Sequence, residues 1–221
     1  MKIAVVTGVW KRPRIFEMFA KGIKNLPVEV DVIVAGSEGR TSRQMVQRHG
    51  FKYIETPNSP LSAKMNATTL AAKDYDYVIC MGSDDILSPE LMKHYLKWMT
   101  LGYDFIGLTD FYFYDTTTRR AMYWGGYRGV RQGETVGAGR VLSSKLLKSM
   151  DWKPWGDNLS SSLDSDMNSR IKGKQIKMSL KKLGVFAVDI KSSTNITKFN
   201  RWDNTTLIDR NVILNQFSYI K

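Results

Sequence analysis

Two adjacent carboxylates, Asp84 and Asp85, carry the strongest chemical signal in this chain. They follow an apolar run, Val78 to Met81, of the kind that forms a strand buried on both faces of a parallel sheet. Gly82 and Ser83 break that run. Ser88-Pro89-Glu90 then reads as a helix start, with a capping hydroxyl, proline at the first position and an acid in the first turn. The acids therefore belong at the carboxyl end of a strand, where open α/β sheets bind ligands. Adjacent carboxylates repel unless a cation or a proton neutralises them, and oxygen-only ligation suits Mg²⁺ or Mn²⁺ holding a diphosphate. The competing reading is an acidic pair that only begins a helix.

Other candidates lie in two loops and one helix. Thr7-Gly8-Val9-Trp10-Lys11-Arg12-Pro13 follows a strand and opens a helix, so its backbone N–H groups could meet a phosphate or a base. It lacks both the Gly-x-Gly-x-x-Gly pattern and a terminal Gly-Lys-Ser/Thr, and its Lys and Arg side chains read equally well as solvated charge. In Leu163 to Arg170, helical spacing puts Asp164 and Asn168 on one face and Asp166 and Arg170 on another. An Asp there is either a general base, if the fold returns it to the Asp84 end of the sheet, or ordinary helix-start chemistry. Trp124, Tyr127 and Trp155 stand beside flexible backbone and could stack on a sugar or base, although aromatics more often fill cores. His49 and His94 fall within helical patterns, and neither a zinc spacing nor a Ser-His-Asp arrangement is visible.

The elements that must position these groups alternate. Strands are expected at 2–6, 28–34, 53–55 and 77–81, with helices at 15–23, 41–49, 61–73 and 89–99; Met65, Leu70 and Ala72 are expected core positions of the third helix. That order implies an α/β fold with a mostly parallel central sheet. The second half reads as a strand at 103–109, a hairpin from 111–114 to 123–124 and a glycine-rich stretch to Gly139. A helix over 141–150, a short helix over 163–170, a last strand at 185–190 and a tail from Asn195 forming a lid or terminal helix follow. No linker divides the chain, so one domain over 1–221 is expected, with halves of different character over 1–100 and 101–221. The 221 residues are 43% hydrophobic and 24% charged, which fits a globular protein. The net charge of +12 favours anionic partners without choosing among nucleic acid, acidic lipid, nucleotides or acidic glycans. The single cysteine, Cys80, excludes a disulfide framework, and no signal or membrane-spanning run is apparent, so a soluble cytoplasmic protein is expected.

Taken in order, these pieces resemble a GT-A glycosyltransferase, a Rossmann-like fold, and within it the inverting family 2. Thr7-Gly-Val-Trp-Lys-Arg-Pro13 is similar to the family's opening loop, with Trp10 in the aromatic place. Gly36-Ser37 resembles the end of its second strand, Lys64-Met65-Asn66 its helical Arg-Asn pair, and Gly82-Ser83-Asp84-Asp85-Ile-Leu-Ser-Pro89 its acidic metal motif. The resemblance runs over residues 2–175 and implies a nucleotide-sugar donor, with UDP the expected nucleotide, bound by Thr7, Gly8, Trp10, Arg12, Ser37, Glu38, Lys64, Asn66, Ser83 and Asp84. It implies Mn²⁺ or Mg²⁺ on Asp84 and Asp85, transfer of a hexose or pentose with inversion, Asp164 as general base, and Lys64, Arg12 or Arg140 as cations for the phosphates. Three departures stand out: Gly82 replaces the first acid of the metal motif, Ala35 replaces the acid that holds the base, and no histidine follows His94. For the second, either Glu38 takes over or the donor carries a different base; for the third, Asp189 is the candidate substitute. The basic stretches 119–140 and 172–182 suggest a polyanionic acceptor, for which hydroxymethylated bases of double-stranded DNA are one case. The alternatives are cell-surface glycans or lipid-linked sugars at a membrane surface, and a non-catalytic nucleic-acid binder on the same scaffold.

Overall fold

The computed structural model describes residues 1–192, 199 and 203–220. Strand β1 (Ile3–Gly8) is apolar at every position from Ile3 to Val6 because both of its faces are covered. Ile3 and Val5 enter one core, while Ala4 and Val6 enter a second on the opposite face. Helix α1 (Pro13–Lys24) starts on its proline and buries Ile15, Phe16, Phe19 and Ile23 in the first core. β2 (Asp31–Gly36), α2 (Arg40–Gln47), β3 (Lys52–Glu55), α3 (Leu61–Ala71) and β4 (Tyr77–Cys80) continue the alternation. β1, β2 and β3 run parallel, and β1 also pairs parallel with β4.

After β4 the chain makes a short strand β5 (Asp85–Leu87) and then α4 (Pro89–Thr100). Ser88 caps α4, its hydroxyl accepting the Leu91 N–H at 3.2 Å, as the Ser-Pro-Glu triplet predicts. β6 (Phe105–Leu108), the hairpin β7 (Phe111–Asp115) and β8 (Arg120–Trp124), then β9 (Arg140–Ser143) and α5 (Ser144–Lys148) follow. α6 (Leu163–Arg170), β10 (Gln175–Met178), α7 (Leu180–Leu183), β11 (Ala187–Lys191), β12 (Thr205–Ile208) and α8 (Arg210–Leu214) complete the order. One sheet has the order β10-β6-β9-β4-β1-β2-β3 and is parallel apart from β9; the other, β12-β8-β7-β11-β5, is mainly antiparallel. The chain is therefore α/β with a mainly parallel central sheet, as expected. Among the described residues no helix is long and apolar enough to cross a membrane.

Several expected elements differ. The second strand begins at Asp31, since Val28 and Val30 only rest on the edge of the core and no strand pairs with them. Leu70 is 55% exposed and is not a core residue. The stretch 141–150 is not one helix: Val141 and Leu142 fill the slot between β4 and β6 as β9, and Ser143 caps the short α5 behind them, accepting from the Leu146 N–H. The expected last strand starts at Ala187 and is followed by β12, which pairs with β8. The basic run 172–182 contains an edge strand, β10, where exposed Lys174 and Lys177 guard an open sheet edge. Of the tail, residues 193–198, 200–202 and 221 lie outside the described residues. The described part packs Ile213, Phe217 and Ile220 into the core.

Candidate active site

β4 delivers the acidic pair and β11 delivers a third acid. β5 pairs antiparallel with β11 in a register that sets Asp85 opposite Asp189, and the Ile190 N–H donates to the Asp84 carbonyl at 2.8 Å. Carboxylate oxygens of Asp84, Asp85 and Asp189 consequently lie within 4.8 Å of one another. Asp85 is buried and accepts from the Gly82 N–H at 2.5 Å. Burial, together with the charges of Asp189 and Asp84, raises the Asp85 carboxyl well above its ordinary range. Burial also raises Asp189, to about 6, against the opposing pull of Lys191. Two cations touch the cluster: Arg12 donates to Asp84 Oδ2 at 2.8 Å and to Ser83 Oγ at 3.2 Å, and Lys191 Nζ donates to Asp189 Oδ2. Asp189 Oδ1 is buried with no hydrogen-bond partner among the described residues. An oxygen-only donor set with one buried, unsatisfied oxygen fits Mg²⁺ or Mn²⁺.

Gly82, where the resembling family has an acid, stands hard against this cluster. A Cβ at that position would stand 2.5 Å from Asp84 Oδ1 and 2.9 Å from Asp85 Oδ2.

The loop after β1 turns through two left-handed residues, Lys11 (φ 53°) and Arg12 (φ 66°), which swing the Arg12 side chain onto Asp84. The Lys11 N–H donates to Glu38 Oε2 at 2.7 Å, so Glu38 fastens this loop to the start of α2. Lys64 is buried and donates to Val9 O, Asn58 Oδ1 and Ser37 Oγ at 2.8, 3.2 and 3.4 Å. Its three protons are engaged, and burial lowers its pKa. The expectation that Lys64 offers charge to phosphates is corrected: it is a strut beneath three loops. Asn66 likewise exchanges two hydrogen bonds with the backbone of Trp155. It holds the 152–156 turn instead of facing a ligand. Trp124 and Trp155 are buried, which removes Trp124 as a stacking platform, whereas Trp155 lines the cavity beside the acid cluster. Thr7 is buried, whereas Trp10 is 43% exposed beneath the Lys11 ammonium.

Asp164 projects from the first turn of α6. Its Oδ2 accepts from Tyr127 Oη at 3.0 Å. Asn168, on the same helix face, bonds Thr135, while Asp166 and Arg170 bond the 153–156 turn. Arg140 is fully buried and donates to three carbonyls, Val136 O at 2.9 Å, Thr135 O at 2.6 Å and Asp164 O at 3.0 Å. It ties α6 to the 135–136 loop and cannot reach a phosphate, which corrects the expected role. Arg140→Met takes this donor from Val136 O and Asp164 O, while Asn168 still donates to Thr135 O, and is expected to cost about 2 kcal/mol, offset in part by no longer burying a charge. Denaturant unfolding checks this, and a midpoint equal to wild type would contradict it.

One cavity of about 300 Å³ joins these pieces: Gly8, Arg12, Ser83, Asp84, Asp164 and Asp189 all line it. Thr7, Trp10, Ser37, Glu38, Lys64, Asn66 and Asp85 do not line it. Two further lining residues, Lys191 and Gly137, are not among the groups that the sequence singles out. Lys191 stands two places after Asp189, and strand period alone puts both on one face. Gly137 carries no such signal.

Comparison with known proteins agrees with this architecture. The model of the family described as "Glycosyl transferase family 2" matches residues 14–153. No curated protein matches the sequence. Among solved structures, the chain is similar to a CMP:2-keto-3-deoxy-manno-octonic acid synthetase complexed with CTP. That match has 14% identity and a TM-score of 0.51 over 87% of this chain and 90% of that one. It is also similar to the bifunctional IspDF of Campylobacter jejuni, with 12% identity and a TM-score of 0.54 over 81% of this chain and 50% of that one. A third is the 4-diphosphocytidyl-2C-methyl-D-erythritol synthase of Anaerococcus prevotii, with 9% identity and a TM-score of 0.53 over 80% and 88%. At these identities the likeness is one of fold. With the family model spanning more than half of the chain on a matching α/β scaffold, the chain belongs to glycosyl transferase family 2.

Proposed function

We propose that this protein moves a sugar, a hexose or pentose, from a nucleotide sugar to an acceptor hydroxyl by a single inverting displacement. The observation that carries the reading is the shared cavity: the acid cluster at Asp84 and Asp189 and the lone carboxylate of Asp164 face one space. Asp84, Asp85 and Asp189 would hold Mn²⁺ or Mg²⁺. When bound, such an ion offsets the charge that builds on the diphosphate as the sugar departs. Arg12 supplies a further cation beside the same phosphates, and Asp164 takes the acceptor's proton as its oxygen bonds to the sugar. UDP is the proposed nucleotide, with Glu38 at the loop junction where the base-holding acid is replaced by Ala35.

For the acceptor we propose a hydroxyl carried by a polyanion, with hydroxymethylated bases of double-stranded DNA as the case to test. The net charge of +12 and exposed Arg119, Arg120 and Arg128 support that choice. Trp155, which lines the cavity, is the aromatic side chain placed to meet a sugar or base there.

The experiment is a thermal-shift panel of UDP-, GDP- and dTDP-sugars with and without Mn²⁺. One donor is expected to raise the melting temperature, and only with the metal. Absence of any donor effect, alongside salt-sensitive DNA binding, would leave a nucleic-acid binder in place of an enzyme.

A further inference from the structure

Asp164 is gripped from two sides, by Tyr127 and by Gly137. The first turn of the helix has no side-chain cap, because Ser162, at the helix start, is left-handed (φ 60°) and makes no such bond. Tyr127 Oη donates to Asp164 Oδ2 at 3.0 Å. Oδ1 lies against Gly137, so close that a Cβ there would stand 2.0 Å from it, and both residues line the cavity. The Tyr127 ring is itself held. The Arg131 guanidinium lies 3.6 Å above its centre, Trp124 meets it edge-on at 4.8 Å, and Glu134 Oε2 accepts from Arg131 Nε at 2.8 Å. Burial, and then the Asp164 charge, push the Tyr127 phenol above its ordinary value, which keeps it a proton donor. A carboxylate with one oxygen tied this way cannot rotate freely, and a base oriented by a third group is the recurring arrangement in general-base chemistry.

We propose that Tyr127 is a positioning residue for Asp164: its hydroxyl, set by Arg131 and Trp124, holds Oδ2 so that Oδ1 faces the cavity and receives the acceptor's proton. The inference rests on the reading of Asp164 as the group that takes that proton.

Tyr127→Phe keeps the ring and removes the hydroxyl. The full chain is assayed with Mn²⁺ and, as probes, UDP-glucose, GDP-mannose and dTDP-glucose, with water as acceptor and nucleotide release as the readout. The substitution is expected to lower kcat about tenfold with the donor KM within about twofold, and to cost nothing further when made in an Asp164→Asn background. Gly137→Ala, which drives the carboxylate out of its place, is expected to match Asp164→Asn in rate while retaining donor binding. An unchanged rate in Tyr127→Phe, or an equal loss in both backgrounds, overturns the inference and makes Tyr127 a packing residue. Asp164→Asn separates the two levels. If it abolishes nucleotide release and Tyr127→Phe does not lower it, positioning alone fails. If it leaves release unchanged, or wild type releases nothing from any probe, the reading of Asp164 falls and the inference with it.

Discussion

Asp164→Asn is expected to lower metal-dependent turnover by about 10²–10⁴-fold, the range a positioned general base contributes, while the donor still raises the melting temperature as it does in wild type. The amide is nearly isosteric, so the space left by Gly137 still receives it and Tyr127 can still donate to its oxygen. Arg140 binds the backbone carbonyl of residue 164, not its side chain, so the helix start stays anchored. What changes is the charge and, with it, the ability to take a proton. A group that acts only in the transition state lowers kcat and kcat/KM together and leaves donor binding intact. Steady-state kinetics beside the thermal shift tests both halves of the statement. Turnover equal to wild type would mean that the acceptor's proton leaves by another route and that Asp164 is helix-start chemistry.

Those parts of the site that local pattern describes are legible in the amino-acid sequence alone. β1, α1, the β7–β8 hairpin and the Ser88 cap follow from hydrophobic period and turn chemistry over a few residues each. The acid pair at the end of β4 is legible for the same reason. Asp189 is expected only as a substitute for an absent histidine, and its actual place depends on an antiparallel register between β5 and β11 that no local pattern contains. α3 shows the limit most plainly. Ser62, Lys64, Asn66, Thr68 and Thr69 are buried on it, while Leu70 faces solvent. The helix lies beneath loops whose carbonyls need donors, so polar side chains occupy its inner face: Lys64 to Val9, Asn66 to Trp155, Thr69 to Trp152. An apolar-stripe rule finds Met65 and Ala72 in the core but misplaces Leu70 and misses the buried polar face. Arg140 misleads for a related reason, since a cation whose partners are three backbone carbonyls looks in sequence like any cation available to a phosphate.

Gly82→Asp, which writes the family's usual acid into the chain, is expected to weaken Mn²⁺ binding by about tenfold or more, the scale on which changes to the surroundings of metal ligands act. The reason is spatial. Position 82 already donates its N–H to Asp85, and its Cα is so near the cluster that any Cβ meets Asp84 Oδ1 and Asp85 Oδ2 inside contact distance. Asp85 is buried and paired in register against Asp189, so it has little room to withdraw. The carboxylates must therefore splay, and a fourth negative charge is added to a cluster that Arg12 and Lys191 only partly offset. Overpacking of this kind also costs about 1–3 kcal/mol of fold stability. Gly82→Ala separates crowding from charge. If both variants lose the Mn²⁺-dependent rise in melting temperature, the missing methyl is what the site requires. Tighter Mn²⁺ binding by Gly82→Asp would show instead that the loop yields and that an acid at this position is recruited as a ligand. In the first case the absence of an acid at residue 82 is a condition of the three-acid arrangement: the carboxylates of Asp84 and Asp85 occupy the room that a side chain at 82 would need.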